Sequence, residues 1–235
     1  MAQNRAPRGG RVRKSPPRGS AKQPTRKQAP KQQSSPRPDP LPPFRLGVVP
    51  GATPGKWIRQ WRLQRPHQPI ELVEIAFADQ AAAIRDRLVD VAICRRPIGG
   101  DDLHVISLYD EVPVVVMGAE SDLTVAEELT PADLAGEVLM TPTDDVLGPL
   151  GLPTEAPRFP AMSTEDTIRT VATGIGIVVV PMSLARLHHR KDVEYRPLAD
   201  VPGSPVVLAW LRERDAEDVQ AFVGITRGRT ARSSR

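Results

Sequence analysis

The chain is short of the residues that usually mark an enzyme or a secreted scaffold. Its 235 residues include one cysteine, Cys94, and four histidines. A single thiol closes no intramolecular disulfide and builds no cysteine-rich zinc site. Neither an HExxH helix nor a GxSxG turn occurs, so the common zinc-hydrolase and serine-hydrolase signatures are missing. No apolar run approaches the roughly 20 residues of a bilayer span. The basic N-terminus is not followed by an apolar stretch, so it does not read as a secretory signal. These absences lead us to expect a cytoplasmic protein with no catalytic residues, no metal, no cofactor and no membrane contact.

Charge is present but unevenly spread. Residues 1–43 hold eleven Lys and Arg against one acid, Asp39, for a net +10. The remaining 192 residues hold 21 basic and 27 acidic side chains, for a net −6. The high isoelectric point therefore describes the first segment, and the rest is mildly acidic. Residues 1–43 are rich in Pro, Arg, Lys, Gln and Ser. Such a stretch buries too little apolar surface to offset its ordering entropy, so a disordered basic tail is expected. It reads either as an arm for nucleic acid or an acidic partner, or as a solubilising extension.

From Phe44 the pattern changes. Leu46, Val48 and Val49 make a short apolar strand, followed by the turn Pro50-Gly51-Ala52-Thr53-Pro54-Gly55. Trp57, Ile58 and Trp61 then recur at helical spacing. A helix over 55–65 is stopped by Pro66. Residues 69–75 alternate as a strand, Asp79 caps a helix through Leu88 with Ala82, Ile84 and Leu88 inward, and 90–94 form the next strand. This β-α-β-α-β order predicts a parallel sheet covered by helices. Strands are expected at 105–108 and 112–117, with the polar turn 118–124 as a hinge. A short helix starts at Thr130, and 137–140 reads as a strand. Ser163 caps a helix, and Gly174-Ile175-Gly176 turns into the β-branched strand ending at Pro181. A helix at 182–188, strands at 193–198 and 206–211, and a helix opened by Asp215–Asp218 complete the body. The last residues, 227–235, read as a second tail.

Four segments together resemble the effector-binding domain of LysR-type transcriptional regulators. They are FRLGVVPG, IRQWRLQRPHQPIELVEI, DRLVDVAICRRP and MSTEDTIRTVATGIGIVVVPMSLA. The resemblance implies an α/β chain with a two-lobed, type 2 periplasmic-binding-protein-like fold. It implies one lobe from 44–118 plus 205–226, a second from 119–204, and a small molecule between them. The family carries a winged helix-turn-helix and a linker helix ahead of this domain. Residues 1–43 show no amphipathic helix, so an effector domain without that DNA reader is expected.

Two loops at helix starts should face the cleft, because unpaired helix N–H groups suit an anionic group. One holds Gly51 and Thr53, the other Thr141 and Thr143. In the resembling family a hydroxyl residue in each loop contacts the effector, which implies that role for Thr53 and Thr141. The same residues also suit plain turns and caps. Arg95 and Arg96 end a strand at the cleft edge, where either suits an acidic ligand or an ion pair with Asp101 or Asp102. Cys94 reads as a buried strand residue, since a redox sensor would need a partner thiol. Gly174 and Gly176 precede a strand rather than a helix and are no dinucleotide fingerprint. His188 and His189 lack neighbouring metal ligands. Trp57 and Trp61 share a helix face and read either as core or as a dimer contact; the family packs its first helix on a partner.

The function expected from these readings is a non-enzymatic sensor of a small anionic metabolite, linked to transcription through a homodimer or a partner. A nucleic-acid-associated protein acting through the basic tail is the alternative.

Overall fold

A computed structural model describes residues 41–228. The expected tails, apart from 41–43, 227 and 228, and the expected absence of a helix-turn-helix lie outside the described residues. Two sheets form the body, and each carries its own core.

The first sheet has the order β2-β1-β3-β8-β4. Its strands are β1 (Phe44–Val48), β2 (Ile70–Glu74), β3 (Val91–Arg95), β4 (Leu103–Glu111) and β8 (Ser204–Leu211). β1 runs parallel to β2 and β3, as the crossover pattern requires, while β8 is antiparallel to β3 and β4. Alternate residues of a strand face opposite sides, and the two cores obey this. Phe44, Leu46, Ile93, Val206 and Leu208 pack with helices α1 (Gly55–Gln64) and α5 (Glu217–Thr226). Ala92, Cys94, Val207 and Ala209 point the other way, toward α2 (Gln80–Arg85).

Helix α1 is pinned by its second tryptophan. Trp61 is fully buried and stacks on Phe44 with ring centroids 4.3 Å apart, and Phe222 of α5 completes the trio. Its indole N–H donates to the Gln68 carbonyl at 3.0 Å. Trp61 has no surface left for a second copy, so its expected part in a dimer contact is overturned by core packing. Trp57 is half-buried at the margin of the same core.

Helix α2 departs from its expected phase. It ends at Arg85, Asp79 makes no side-chain cap bond, and Ala82 and Leu88 face solvent while Ala83 and Ile84 point inward. The reason is Gln80. Its amide accepts from the Arg95 backbone N–H at 3.0 Å and donates to the Arg95 carbonyl at 2.7 Å, inside the core. Satisfying the last residue of β3 sets the rotation of the helix.

The second sheet has the order β6-β5-β7, with strands β5 (Pro113–Gly118), β6 (Val178–Pro181) and β7 (Val193–Pro197), all antiparallel. Helices α3 (Thr164–Val171) and α4 (Met182–Leu187) cover one face. Leu134, from the expected short helix after Thr130 (Pro131–Leu134), and loop side chains such as Leu129 and Leu198 cover the other. β5 is buried along its whole length, and it belongs to this sheet. The chain therefore crosses between lobes at Glu111-Val112-Pro113, not in the polar turn after Gly118. Residues 113–118 move from the first lobe to the second. The return crossing lies between Pro197 and Ser204. Residues 137–140 form only isolated bridges, Val138 to Glu155 and Leu139 to Ile177. The turn that brings Ile177 there needs Gly176, whose φ is +63 and whose missing Cβ would collide with the Val138 carbonyl.

At the far end of the first lobe an ionic cluster ties α5 to the sheet. Asp90 accepts from the Arg45 backbone N–H at 2.7 Å and from Arg214 Nε at 3.1 Å. Arg214 then grips Asp218 with both terminal nitrogens, at 2.8 and 2.7 Å. The guanidinium holds the Asp218 carboxyl down at about 2.

Candidate functional site

A cleft of about 1350 Å³ lies between the two sheets. The first lobe supplies the ends of β1, β2 and β3, where parallel strands stop and their loops turn away; open α/β sheets place ligands at such edges. The lining includes Val48–Thr53, Glu74–Phe77 and Arg95 from this side. The end of β4 and the crossing contribute Tyr109–Val112, and the second lobe contributes Asp144, Val146, Ser163–Glu165, Met182–Leu184 and Arg186–His188. Apolar walls with a few convergent polar groups are what a small organic ligand requires.

The expected site residues divide. Gly51 and Thr53 line the cleft, and so does Arg95. Thr141 and Thr143 are exposed and do not line it. Their loop instead delivers Asp144, three residues beyond Thr141, to the cleft wall. Arg96 is exposed and borders a separate shallow depression with Ala81, Pro97 and Ile98. Along a strand, neighbouring side chains diverge, so Arg95 and Arg96 could not both enter. Asp102, one of the expected ion-pair partners, is engaged by Arg85 at 2.7 Å. Gly174 and Gly176 keep only the turn role.

Arg95 is 1 % exposed and sits at the cleft floor. Its Nη1 donates to Glu111 Oε2 at 2.7 Å and to Ser204 Oγ at 3.1 Å. Its Nη2 donates to Ser183 Oγ at 3.0 Å and to the Pro50 carbonyl at 3.4 Å. Glu111 and Ser183 were not foreseen, and nothing local in the sequence marks them. They meet Arg95 only because the outgoing crossing and the first turn of α4 both come to the end of β3. Tyr109, beside Glu111, has its phenol pushed upward by burial first and by the Glu111 charge second.

Two of the helix starts at the cleft, those of α1 and α3, differ. At α3, Ser163 Oγ accepts from the Asp166 N–H at 3.1 Å, and Asp144 Oδ1 accepts from both the N–H and the hydroxyl of Thr164, at 2.7 and 2.8 Å. Its positive end is filled from within the lobe. At α1, Pro54 supplies no side-chain cap and the first turn holds no acid. Its N–H groups and dipole remain directed at the loop that bears Thr53.

Cys94 is fully buried, and burial pushes its thiol up to about 12. It is therefore inert at neutral pH. Among the described residues no group of three or more His, Cys, Asp or Glu is placed to hold a metal ion, and no helix is long and apolar enough to cross a membrane.

This geometry agrees with known proteins. The BenM effector binding domain, solved with its effector benzoate, superposes with a TM-score of 0.66 at 21% identity, over 80% of this chain and 91% of that one. The reduced OxyR regulatory domain of Pseudomonas aeruginosa superposes with a TM-score of 0.62 at 22% identity, over 80% and 95%. Both show the two-lobed, periplasmic-binding-protein-like fold. In sequence, the Hca operon transcriptional activator HcaR of Escherichia coli K12 is 28% identical over 201 residues, 79% of this chain and 67% of HcaR. The regulator CatR of Pseudomonas putida is 29% identical over 164 residues, 65% of this chain and 55% of CatR. The chain thus spans between about half and two-thirds of the length of these relatives. The model of the LysR substrate binding domain matches residues 40–231, the whole described body, and the chain belongs to that family.

Proposed function

We propose that this chain is the ligand-sensing part of a cytoplasmic transcription regulator and that its cleft takes a small organic anion. The observation that carries the reading is the cleft itself, with apolar walls and an uncapped, acid-free helix start behind Thr53. The anionic head is held by the Gly51–Thr53 loop and the start of α1, while Arg95, paired with Glu111, supports that loop from beneath through the Pro50 carbonyl. The apolar body lies against the walls. Benzoate is the effector of BenM, and an aromatic or aliphatic carboxylate is the class we assign here. The regulator works as a homodimer, with Trp57 of α1 as the anchor retained from the two tryptophans.

Thermal shift against a panel of carboxylates, benzoate among them, tests this. A binder raises the melting temperature in proportion to the logarithm of its concentration above Kd. Glu74 and Asp110 also face the cleft, so amines form a second arm. Stabilisation by amines alone would overturn the anionic assignment. A flat response to both arms would overturn the sensor.

The net +10 of residues 1–43 supports a second reading, in which that segment contacts nucleic acid without reading sequence. Such binding must weaken steeply with salt. Deleting 1–43 should abolish it, and survival of salt-sensitive binding in the deleted protein would remove this reading.

A further inference from the structure

Three of the four groups that the Arg95 guanidinium contacts belong to the first sheet or its loops. Arg95 ends β3, Glu111 ends β4, Ser204 begins β8 and Pro50 follows β1. Ser183 alone belongs to the second lobe, in the first turn of α4. Its hydroxyl sits inside the ion pair: it accepts from Arg95 Nη2 at 3.0 Å and donates to Glu111 Oε2 at 2.7 Å. We propose that Ser183 is an interlobe latch that holds the cleft at its present aperture through this buried charge network.

Both of its bonds are to charged groups, which makes them stronger than neutral ones. Both lie where water is scarce: Arg95 and Glu111 are 1 % and 9 % exposed. Withdrawing the hydroxyl leaves a buried guanidinium edge and a buried carboxylate oxygen each short of a partner, a cost that surface contacts do not carry.

A second observation places the same residue at a contact between lobes. Gly51, in the loop that bears Thr53, has φ +84, and a Cβ built on it would come within 2.6 Å of Ser183 Oγ and 3.2 Å of Leu184 Cδ2. The ligand loop therefore rests directly on the first turn of α4. One residue earlier, the Met182 N–H donates to the Val112 carbonyl of the crossing at 2.9 Å. Held at two consecutive residues, α4 keeps one orientation to the first sheet. Ser204 is the built-in control, because it bonds the same guanidinium nitrogen as Glu111 but stays within the first sheet. The latch acts on the protein without ligand and holds for whatever class of ligand the cleft accepts.

The test is the distance between lobes. Spin labels go on Arg62→Cys in α1 and Glu128→Cys in the second lobe of the full chain, both exposed positions; buried Cys94 takes no label. With the labelled chain diluted in excess unlabelled chain, so that a dimer carries one labelled copy, double electron–electron resonance should give one narrow distance peak in the parent. Adding Ser183→Ala should broaden the peak and shift it to longer distance, while Ser204→Ala should leave it unchanged. Circular dichroism and denaturation of each variant confirm folding. An unchanged peak in Ser183→Ala overturns the latch. Equal broadening in Ser204→Ala also overturns it, since that would make the effect a general loosening of the Arg95 cluster.

Discussion

Helices α1 and α3 both start at the cleft, and they treat the same backbone problem in opposite ways. Each has first-turn N–H groups with no helical partner and a positive dipole end. At α3, Ser163 and Asp144 satisfy them, and Glu165 and Asp166 follow in the first turn. At α1, Pro54 has no polar side-chain group to offer and Lys56 stands where an acid would help. One start is closed by its own lobe, and the other is left to solvent or a guest. The difference teaches that a helix N-terminus beside a cleft is no binding site by default: what matters is whether the chain has already supplied the anion.

An open start is tolerable only if α1 is anchored elsewhere, and the largest expected effect tests that. Trp61→Ala should lower unfolding free energy by about 3–5 kcal/mol in urea titration, because it empties a sealed aromatic cluster. Trp57→Ala should cost about 1 kcal/mol or less. Equal costs would break the distinction between core and margin. Next comes the closed start. Asp144→Ala should destabilise by about 1–2 kcal/mol, the range for losing a helix cap. It should also let added sulfate or a carboxylate stabilise the variant at α3, which the parent resists.

The open start is tested by Thr53→Val. Affinity for a carboxylate found in the thermal panel should fall about tenfold, or about 1.4 kcal/mol, with the unfolding midpoint unmoved. Thr141→Val should alter neither, and a loss of affinity there would restore that loop to the site. The smallest effect belongs to a third helix start. Asp218, in the first turn of α5, has its carboxyl held at about 2 against an ordinary 3.8. Its folded value lies below its unfolded one. Its contribution is therefore full above about pH 4 and is lost as pH falls toward about 2. Screened by solvent, this amounts to about 1 kcal/mol. The acid limb of a stability–pH curve should flatten in Asp218→Asn.

Much of the fold was legible in the chain. The apolar run of β1, the glycines at 174 and 176 and the Ser163 cap are local signals, and each led to the right element. Local signals failed where a distant group decided. The phase of α2 follows from Gln80 bonding Arg95, fifteen residues away. The sheet that β5 joins is set by β6 and β7, since a strand buried on both faces reads the same in either lobe. Gly51, Thr53 and Arg95 reach the cleft wall as expected, because a loop after β1 and the end of β3 must reach the same sheet edge. Thr141 was misjudged because the residue type was right while the loop's path beyond Met140 was not encoded nearby. Glu111, Asp144 and Ser183 carried no local mark at all.

Sequence alone determined an α/β order of strands and helices behind a basic segment, with a single thiol in the body. Those features depend on periodicity and on which side chains exist. Tertiary structure decided which charges meet. Arg95 neutralises Glu111, Asp144 closes α3, and Ser183 bridges the lobes, at sequence separations of 16, 20 and 88. Electrostatics and hydrogen bonding act over a few ångströms, so they become specific only after the chain has brought such residues together.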